Sequence, residues 1–266
     1  MDFNINAIIS KSIVALETEK GIVNMWKAPL AAAISADHPL IPELRQAASK
    51  EHLLPKELLS DAKSIIVFFI PFENRIIESN KKGEAASEEW ARAYIFTNEL
   101  LARINDEIEK CLDRQGFKVS KINATHNFDE KTLISHWSHR HIAWMAGLGS
   151  FGINNMLITA NGCCGRFGSI VTNADTGELG FGVSTVSPSV EKCLYKINGS
   201  CGVCRAKCAV NALREDGVFD RAKCYEVCLK NAELYKSIGL ADVCGKCLVG
   251  LPCSSKDPAV LPAVNP

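Results

Sequence analysis

The chain has 266 residues, of which 47% are apolar and 23% charged, with 30 basic groups, 30 acidic groups and 12 cysteines. These values fit one or two globular domains and exclude a disordered or collagen-like chain. A formal net charge of zero argues against a whole-protein electrostatic grip on nucleic acid.

Residues 1–19 have no basic segment ahead of their apolar stretch and no small-residue cleavage site, so they do not read as a signal peptide. Ile5, Ile8, Ile9, Ile13 and Leu16 recur at helical spacing and predict an amphipathic helix. Residues 1–62 as a whole are expected to be helix-rich, broken by Pro29, Pro39, Pro42 and Pro55. Ser64 to Ile70 is β-branched and aromatic and closes at Pro71, which predicts a buried strand. Its apolar run, Ile65 to Ile70, is far shorter than the roughly 20 residues that span a bilayer. A cytoplasmic protein with reduced thiols and no membrane partner is expected.

A long helix is predicted from Ser87 to Gln115, with Trp90, Tyr94, Leu101, Ile104, Ile108 and Cys111 inward and Gly116 as its stop. Phe117 to Ile122 alternates as a strand. A second long helix is predicted from about Glu130 to Ala146, ending at Gly147. Nine of the 18 glycines then fall between Gly147 and Gly182. Within that stretch Asn155 to Ala160 and Gly168 to Thr172 read as strands, and Val183 to Pro188 as an extended connector.

Nine of the twelve cysteines lie between Cys193 and Cys253. In a reducing compartment, clustered thiols point to metal rather than disulfides. Cys201-x2-Cys204-x3-Cys208 is the last part of the ferredoxin run C-x2-C-x2-C-x3-C-P. Asn198 stands where the first cysteine would be and Ala209 where the proline would be, and Cys193 is the nearest upstream thiol. Cys244-x2-Cys247-x5-Cys253 forms the other half, and C-G-K-C at 244–247 weakly repeats C-G-V-C at 201–204.

A four-iron cluster takes four thiolates, and in two-cluster ferredoxins the last cysteine of each run serves the other cluster. That rule assigns Cys193, Cys201, Cys204 and Cys253 to one cluster and Cys208, Cys224, Cys244 and Cys247 to the second. Cys228, one helical turn after Cys224, is read as packing. Structural zinc also accepts C-x2-C pairs, so a zinc-stabilised binding protein is an alternative.

Residues 143–173 contain A-G-L-G-x-x-G followed by M-L-I-T and R-F-G-S-I-V-T. With the double cysteine region behind it, this segment resembles the epoxyqueuosine reductase family, which reduces an epoxide in a modified tRNA nucleoside. The same core is shared with corrinoid-dependent reductive dehalogenases. The resemblance covers about residues 130–255. It implies an α/β (α+β) fold in which a nitroreductase-like core precedes a small ferredoxin-like domain. It also implies two 4Fe–4S clusters and a base-off cobalamin, with FMN as the alternative. The expected division is an N-terminal helical region at 1–62 packed on the core, a cofactor-binding core at 63–187 and the double-cluster domain at 188–266. Where the family has an aspartate thought to donate a proton, this chain has Leu133. No counterpart of the family's tRNA-binding helical-repeat domain is expected, so tRNA is not an expected partner. A short, anaerobe-type relative with another substrate is.

Glycine permits positive φ and close backbone approach to a ligand. Gly147, Gly149, Gly152 and Gly168, with hydrogen bonds from Ser150, Asn154, Arg166 and Ser169, are the cofactor-binding candidates. The segment does not sit between a first strand and a helix, so it is not a dinucleotide fingerprint. His136 and His139, placed on one helix face with Arg140, are the candidate proton donors in place of the aspartate. Trp137 and Trp144 read as core, as does Cys111. Cys163–Cys164 reads either as a redox pair facing the cofactor or as two small buried side chains.

The expected function is a cytoplasmic iron–sulfur oxidoreductase. A low-potential donor such as ferredoxin or flavodoxin feeds two 4Fe–4S clusters, and a corrinoid or flavin site reduces a small organic substrate. The alternative is an electron-transfer protein that reduces a partner, for example a corrinoid protein.

Overall fold

The computed structural model describes residues 3–124, 126–181 and 189–260. These form two compact units. The first comprises the described residues of Met1–Ile70, Thr97–Leu148 and Arg166–Pro188, and the second those of Pro71–Phe96, Gly149–Gly165 and Ser189–Pro266. The predicted connector at 183–188 lies outside the described residues.

The first unit is organised by the strand Ser64–Pro71, all eight residues of which are buried. It is an inner strand of a four-stranded sheet in the order Leu30–Ser35, Ser64–Pro71, Gly165–Thr172, Val119–Lys121. Its pairing with Leu30–Ser35 is antiparallel, from Leu30 opposite Phe69 to Ser35 opposite Ser64. Val119–Lys121 pairs antiparallel with Ile170–Thr172. A strand with neighbours on both edges and layers on both faces favours this Ile-Ile-Val-Phe-Phe-Ile content, because branched and aromatic side chains fill a pleated surface. Phe69 stacks on Phe167 with centroids 4.4 Å apart.

The amphipathic helix Ile5–Lys20 is capped by the Asn4 side chain, which accepts from the Ala7 N–H at 3.0 Å, and ends at Gly21 with φ +63°. It buries Ile5, Ile9 and Leu16. The long helix Glu88–Asp113 forms as expected. In this unit it buries Leu100, Leu101, Ile104, Ile108 and Leu112. Cys111 is only half-buried, because Leu112 takes the inward position.

Two expectations need correction. Residues 1–62 are not uniformly helix-rich: Leu30–Ser35 is a strand, and only short turns of helix occur at Leu44–Ala47 and Pro55–Leu58. Alanine has low strand preference, and the ladder to Ser64–Pro71 overrides it. The predicted helix from Glu130 to Ala146 shrinks to His139–Met145. Upstream, Asp129 accepts from the Lys131 and Thr132 N–H groups at 3.1 and 2.7 Å and from the Thr132 hydroxyl at 2.9 Å. That carboxylate-held turn joins the short strands Phe128–Asp129 and Ile134–Ser135 and competes with helix. Leu133 sits inside the turn at φ +55°. The helix starts where the Ser138 side chain accepts from His141 N–H, and Gly147 at φ +73° terminates it as expected.

The second unit has little regular structure. A hairpin pairs Gly149–Phe151 with Leu157–Thr159. Helices Leu194–Asn198, Val203–Ala206 and Arg221–Leu234 and a 3-10 turn at Lys246–Leu248 carry most of the cysteine region. Side chains tie the 241–247 segment to residues 80–94. Asn80 Nδ2 donates to Cys244 O at 3.0 Å, and the buried Lys246 Nζ donates to Asn80 O and Lys82 O at 2.9 and 2.8 Å. Asn231 Nδ2 donates to Val243 O at 2.8 Å, and the Tyr94 hydroxyl donates to Asp242 at 2.8 Å.

Gly168 faces the core of the first unit. A Cβ there would lie 2.6 Å from Phe68 Cζ and 3.1 Å from Leu101 Cδ2. Gly168→Ala is therefore expected to lower unfolding free energy by roughly 1–3 kcal/mol through overpacking. A denaturant midpoint equal to that of the unsubstituted chain would contradict this packing role.

Candidate metal centre

Cys193, Cys201, Cys204 and Cys253 line one cavity in the second unit. Local chemistry explains each position. The Glu191 carboxylate accepts from the Lys192 and Cys193 N–H groups, both at 2.9 Å, and from the Ser150 hydroxyl at 2.9 Å. This fixes Cys193 as the residue that opens helix Leu194–Asn198. Gly202 opens the next short helix, which carries Cys204. The Cys253 carbonyl accepts from Cys163 N–H at 2.9 Å. Asn198, at the place of the missing first cysteine, uses its side-chain oxygen to accept from Ser200 N–H at 3.0 Å. It closes a turn. Burial pushes the Cys204 thiol up to about 11, with Cys253, Cys193 and Cys201 adding to the rise.

Cys208, Cys224, Cys244 and Cys247 also gather in this unit. Burial raises the Cys247 thiol, and Cys224, Cys244 and Cys208 all add to the rise. Burial likewise raises Cys244, with Cys224 and Cys208 contributing. The Cys208 sulfur accepts from Ala212 N–H at 3.2 Å. Cys224 and Cys228 meet one turn apart on helix Arg221–Leu234. A hydrogen bond from Cys228 draws the Cys224 thiol down to about 7, while the same bond holds Cys228 up. Cys228 stands in the same group as a fifth thiol.

Among the described residues, no three His, Cys, Asp or Glu side chains converge as ligands of a single ion. Thiols spread around a cavity wall suit a multi-iron cluster, whose thiolates bind different irons and stand farther apart than ligands on one ion. The donor set at the first group fits a four-iron cluster. The second group has the donor set.

A contact that spacing alone does not reveal is that of Cys163 with Cys253. Cys163 is fully buried, and its thiol hydrogen-bonds to both Cys164 and Cys253. The Cys164 bond, with burial, holds its thiol well above the usual range, and the Cys253 bond opposes them. Cys164 donates its S–H to Leu248 O at 3.2 Å. The vicinal pair therefore packs against the segment that carries Cys247 and Cys253.

The candidate cofactor residues divide between the two units. Gly149, Ser150, Gly152 and Asn154 belong to the second, and Gly147, Arg166, Gly168 and Ser169 to the first. Packing accounts for several glycines. A Cβ at Gly149 would lie 2.2 Å from Ile158 O, and one at Gly152 would lie 2.7 Å from Asn154 Oδ1. Ser150 donates to Glu191 at 2.9 Å, and Asn154 Nδ2 donates to Cys247 O at 3.1 Å. Arg166 donates to Ala124 O at 3.3 Å.

The histidines are placed differently from the single helix face expected of them. His136 precedes the helix, with Nδ1 3.8 Å from Glu51. His139 is buried, with Nδ1 2.7 Å from the Ser169 hydroxyl and Nε2 3.2 Å from Asn123 O. The Trp137 indole N–H also donates to Ser169, at 3.0 Å. Burial pushes His139 down to about 4, so its imidazole is neutral at neutral pH. Its ring closes a core network with Ser169 and Asn123. Trp137 is core as expected.

A histidine lowered in the folded state gains a proton more easily on unfolding. His139 therefore supports the fold fully above about pH 6.5, and that support falls as pH drops toward 4. The loss amounts to roughly 3 kcal/mol. His139→Gln is expected to flatten this part of the pH profile of Tm; an unchanged slope between pH 6.5 and 4 would contradict the burial argument.

No protein-family model matches the chain, and no curated protein matches its sequence. Solved structures do match it. A selenomethionine-labelled epoxyqueuosine reductase superposes with a TM-score of 0.55 at 18% identity, covering 96% of this chain and 68% of that one. Epoxyqueuosine reductase from Bacillus subtilis, in a form with its catalytic aspartate loop swung out of the active site, gives 0.55 at 19% identity, covering 99% and 70%. A catabolic reductive dehalogenase in complex with 3-bromo-4-hydroxybenzoic acid gives 0.59 at 17% identity, covering 86% of this chain and 30% of that one. The chain thus has the mixed α and β fold shared by epoxyqueuosine reductases and reductive dehalogenases.

Proposed function

We propose that the protein is an iron–sulfur oxidoreductase. Cys193, Cys201, Cys204 and Cys253 would hold one 4Fe–4S cluster, and Cys208, Cys224, Cys244 and Cys247 the other. The observation that carries this reading is the convergence of the first four cysteines, drawn from separate stretches of chain, on one cavity. Bound clusters of this kind supply one-electron storage at potentials tuned by hydrogen bonds, charge and solvent exposure. The chain's own contribution is to present the thiols, to keep water from them and to fix their backbone. Glu191, Asn80 and Lys246 do the last of these at Cys193 and Cys244.

The reductase relatives of the fold support reduction of a small organic substrate as the overall chemistry. Electrons would come from a low-potential donor such as a ferredoxin or flavodoxin. One structure with this fold is described as B12-dependent, which favours cobalamin over FMN as the reacting group. No step is assigned to either group. In the alternative reading the protein passes electrons to a corrinoid-bearing partner that contains the reaction centre.

In anaerobically prepared protein, Cys201→Ala is expected to remove about half of the bound iron, the share of one of two four-iron clusters. Unchanged iron would overturn the ligand assignment. Cys224→Ala should cost one cluster while Cys228→Ala keeps both, read by iron content and by the EPR spectrum of the reduced protein. The reverse pattern would exchange their roles.

A further inference from the structure

Trp90 is 2% exposed and lies in the second unit. Its backbone N–H donates to the Ser87 hydroxyl at 3.2 Å, and its ring meets Phe72 edge-on with centroids 5.2 Å apart. Its indole Nε1 has no hydrogen-bond partner among the described residues. Folded proteins rarely leave a buried donor in that state, and service to a bound ion or cofactor is one recognised reason for it.

The position of that donor is informative. Gly245, in the C-G-K-C segment between Cys244 and Cys247, has φ +73°. A Cβ on it would lie 2.4 Å from Trp90 Cε2 and Cζ2 and 2.6 Å from Nε1. The N–H edge of the indole therefore presses on the backbone that carries two of the second group's thiols. Glycine is required there both by the left-handed backbone and by the ring. The same loop is clamped from its other side chains by Asn80 and Lys246.

We infer that the Trp90 indole N–H is reserved for the second cluster and donates to one of its thiolate or sulfide sulfurs. This rests on the iron–sulfur reading above. An N–H donor stabilises the extra negative charge of a reduced cluster, so Trp90 raises that cluster's reduction potential. Indole satisfies the donor and seals the loop from water at once; phenylalanine would do only the second.

The test is an EPR-monitored redox titration of the full chain, reconstituted with iron and sulfide without oxygen. Two proteins are compared with the unsubstituted one: Trp90→Phe, and a form with benzothienylalanine at position 90. The analogue keeps the bicyclic shape and removes only the N–H, so it reports even if Trp90→Phe does not fold. The expected result is two clusters in every folded protein, with one midpoint shifted to more negative potential and the other unmoved. Unchanged midpoints would overturn the inference. So would a positive shift, which is the sign expected of added water access and would mark Trp90 as packing alone. If the unsubstituted chain takes up no cluster, the iron–sulfur reading itself fails, and that outcome is distinct from the other two.

Discussion

Burying sulfur without pairing it is the constraint on which the second unit depends. Its helices are short, and its longest element beyond the start of the Glu88–Asp113 helix is the 14-residue segment Arg221–Leu234. Cys204, Leu213 and Leu251 make a small apolar cluster, against which Cys208, Cys247 and Cys253 pack. Sections of chain with so little regular structure rarely hold a fixed shape by apolar burial alone, and metal clusters are a usual remedy. The backbone ties around Cys193 and Cys244 then make sense as supports that hold thiols in place for a centre larger than any one of them. The upward shifts at Cys204, Cys244 and Cys247 share one leading cause, burial, and it is the condition that keeps water from a reduced cluster.

The first unit solves a different problem by ordinary means. A fully buried strand is flanked on both edges, and some polar groups inside the unit are paired with one another. The Trp137, His139 and Ser169 network is the clearest case, since a single hydroxyl meets an indole N–H and an imidazole nitrogen. Gly168, next to Ser169, brings its strand close to Phe68 and Leu101. Gly168 is explained here by packing.

Much of this was legible in the sequence where one local rule dominates. Ser64–Pro71 and Glu88–Asp113 follow from strong periodicity, and Gly116 and Gly147 follow from helix-stop chemistry. The grouping of Cys193 with Cys253 follows from the crossing rule of two-cluster ferredoxins, although only the structure brings them to one cavity. Other features depend on contacts remote in sequence. Leu30–Ser35 is a strand because of its partner, and the helix predicted from Glu130 yields to a turn built by one carboxylate. His139 looked like an exposed titratable group because its spacing placed it on a helix face with His136 and Arg140, whereas the helix begins only at His139. Trp90 was legible as an inward position, but nothing in the sequence indicates that its N–H lacks a partner.

The central claim is that the clustered thiols hold iron and sulfide. The most direct measurement is the iron, acid-labile sulfide and zinc content of protein purified without oxygen and with iron supplied, together with its visible spectrum before and after dithionite. The account predicts about eight irons per chain, four for each cluster, and a broad absorption that bleaches on reduction. A colourless protein that carries zinc in place of iron would contradict it.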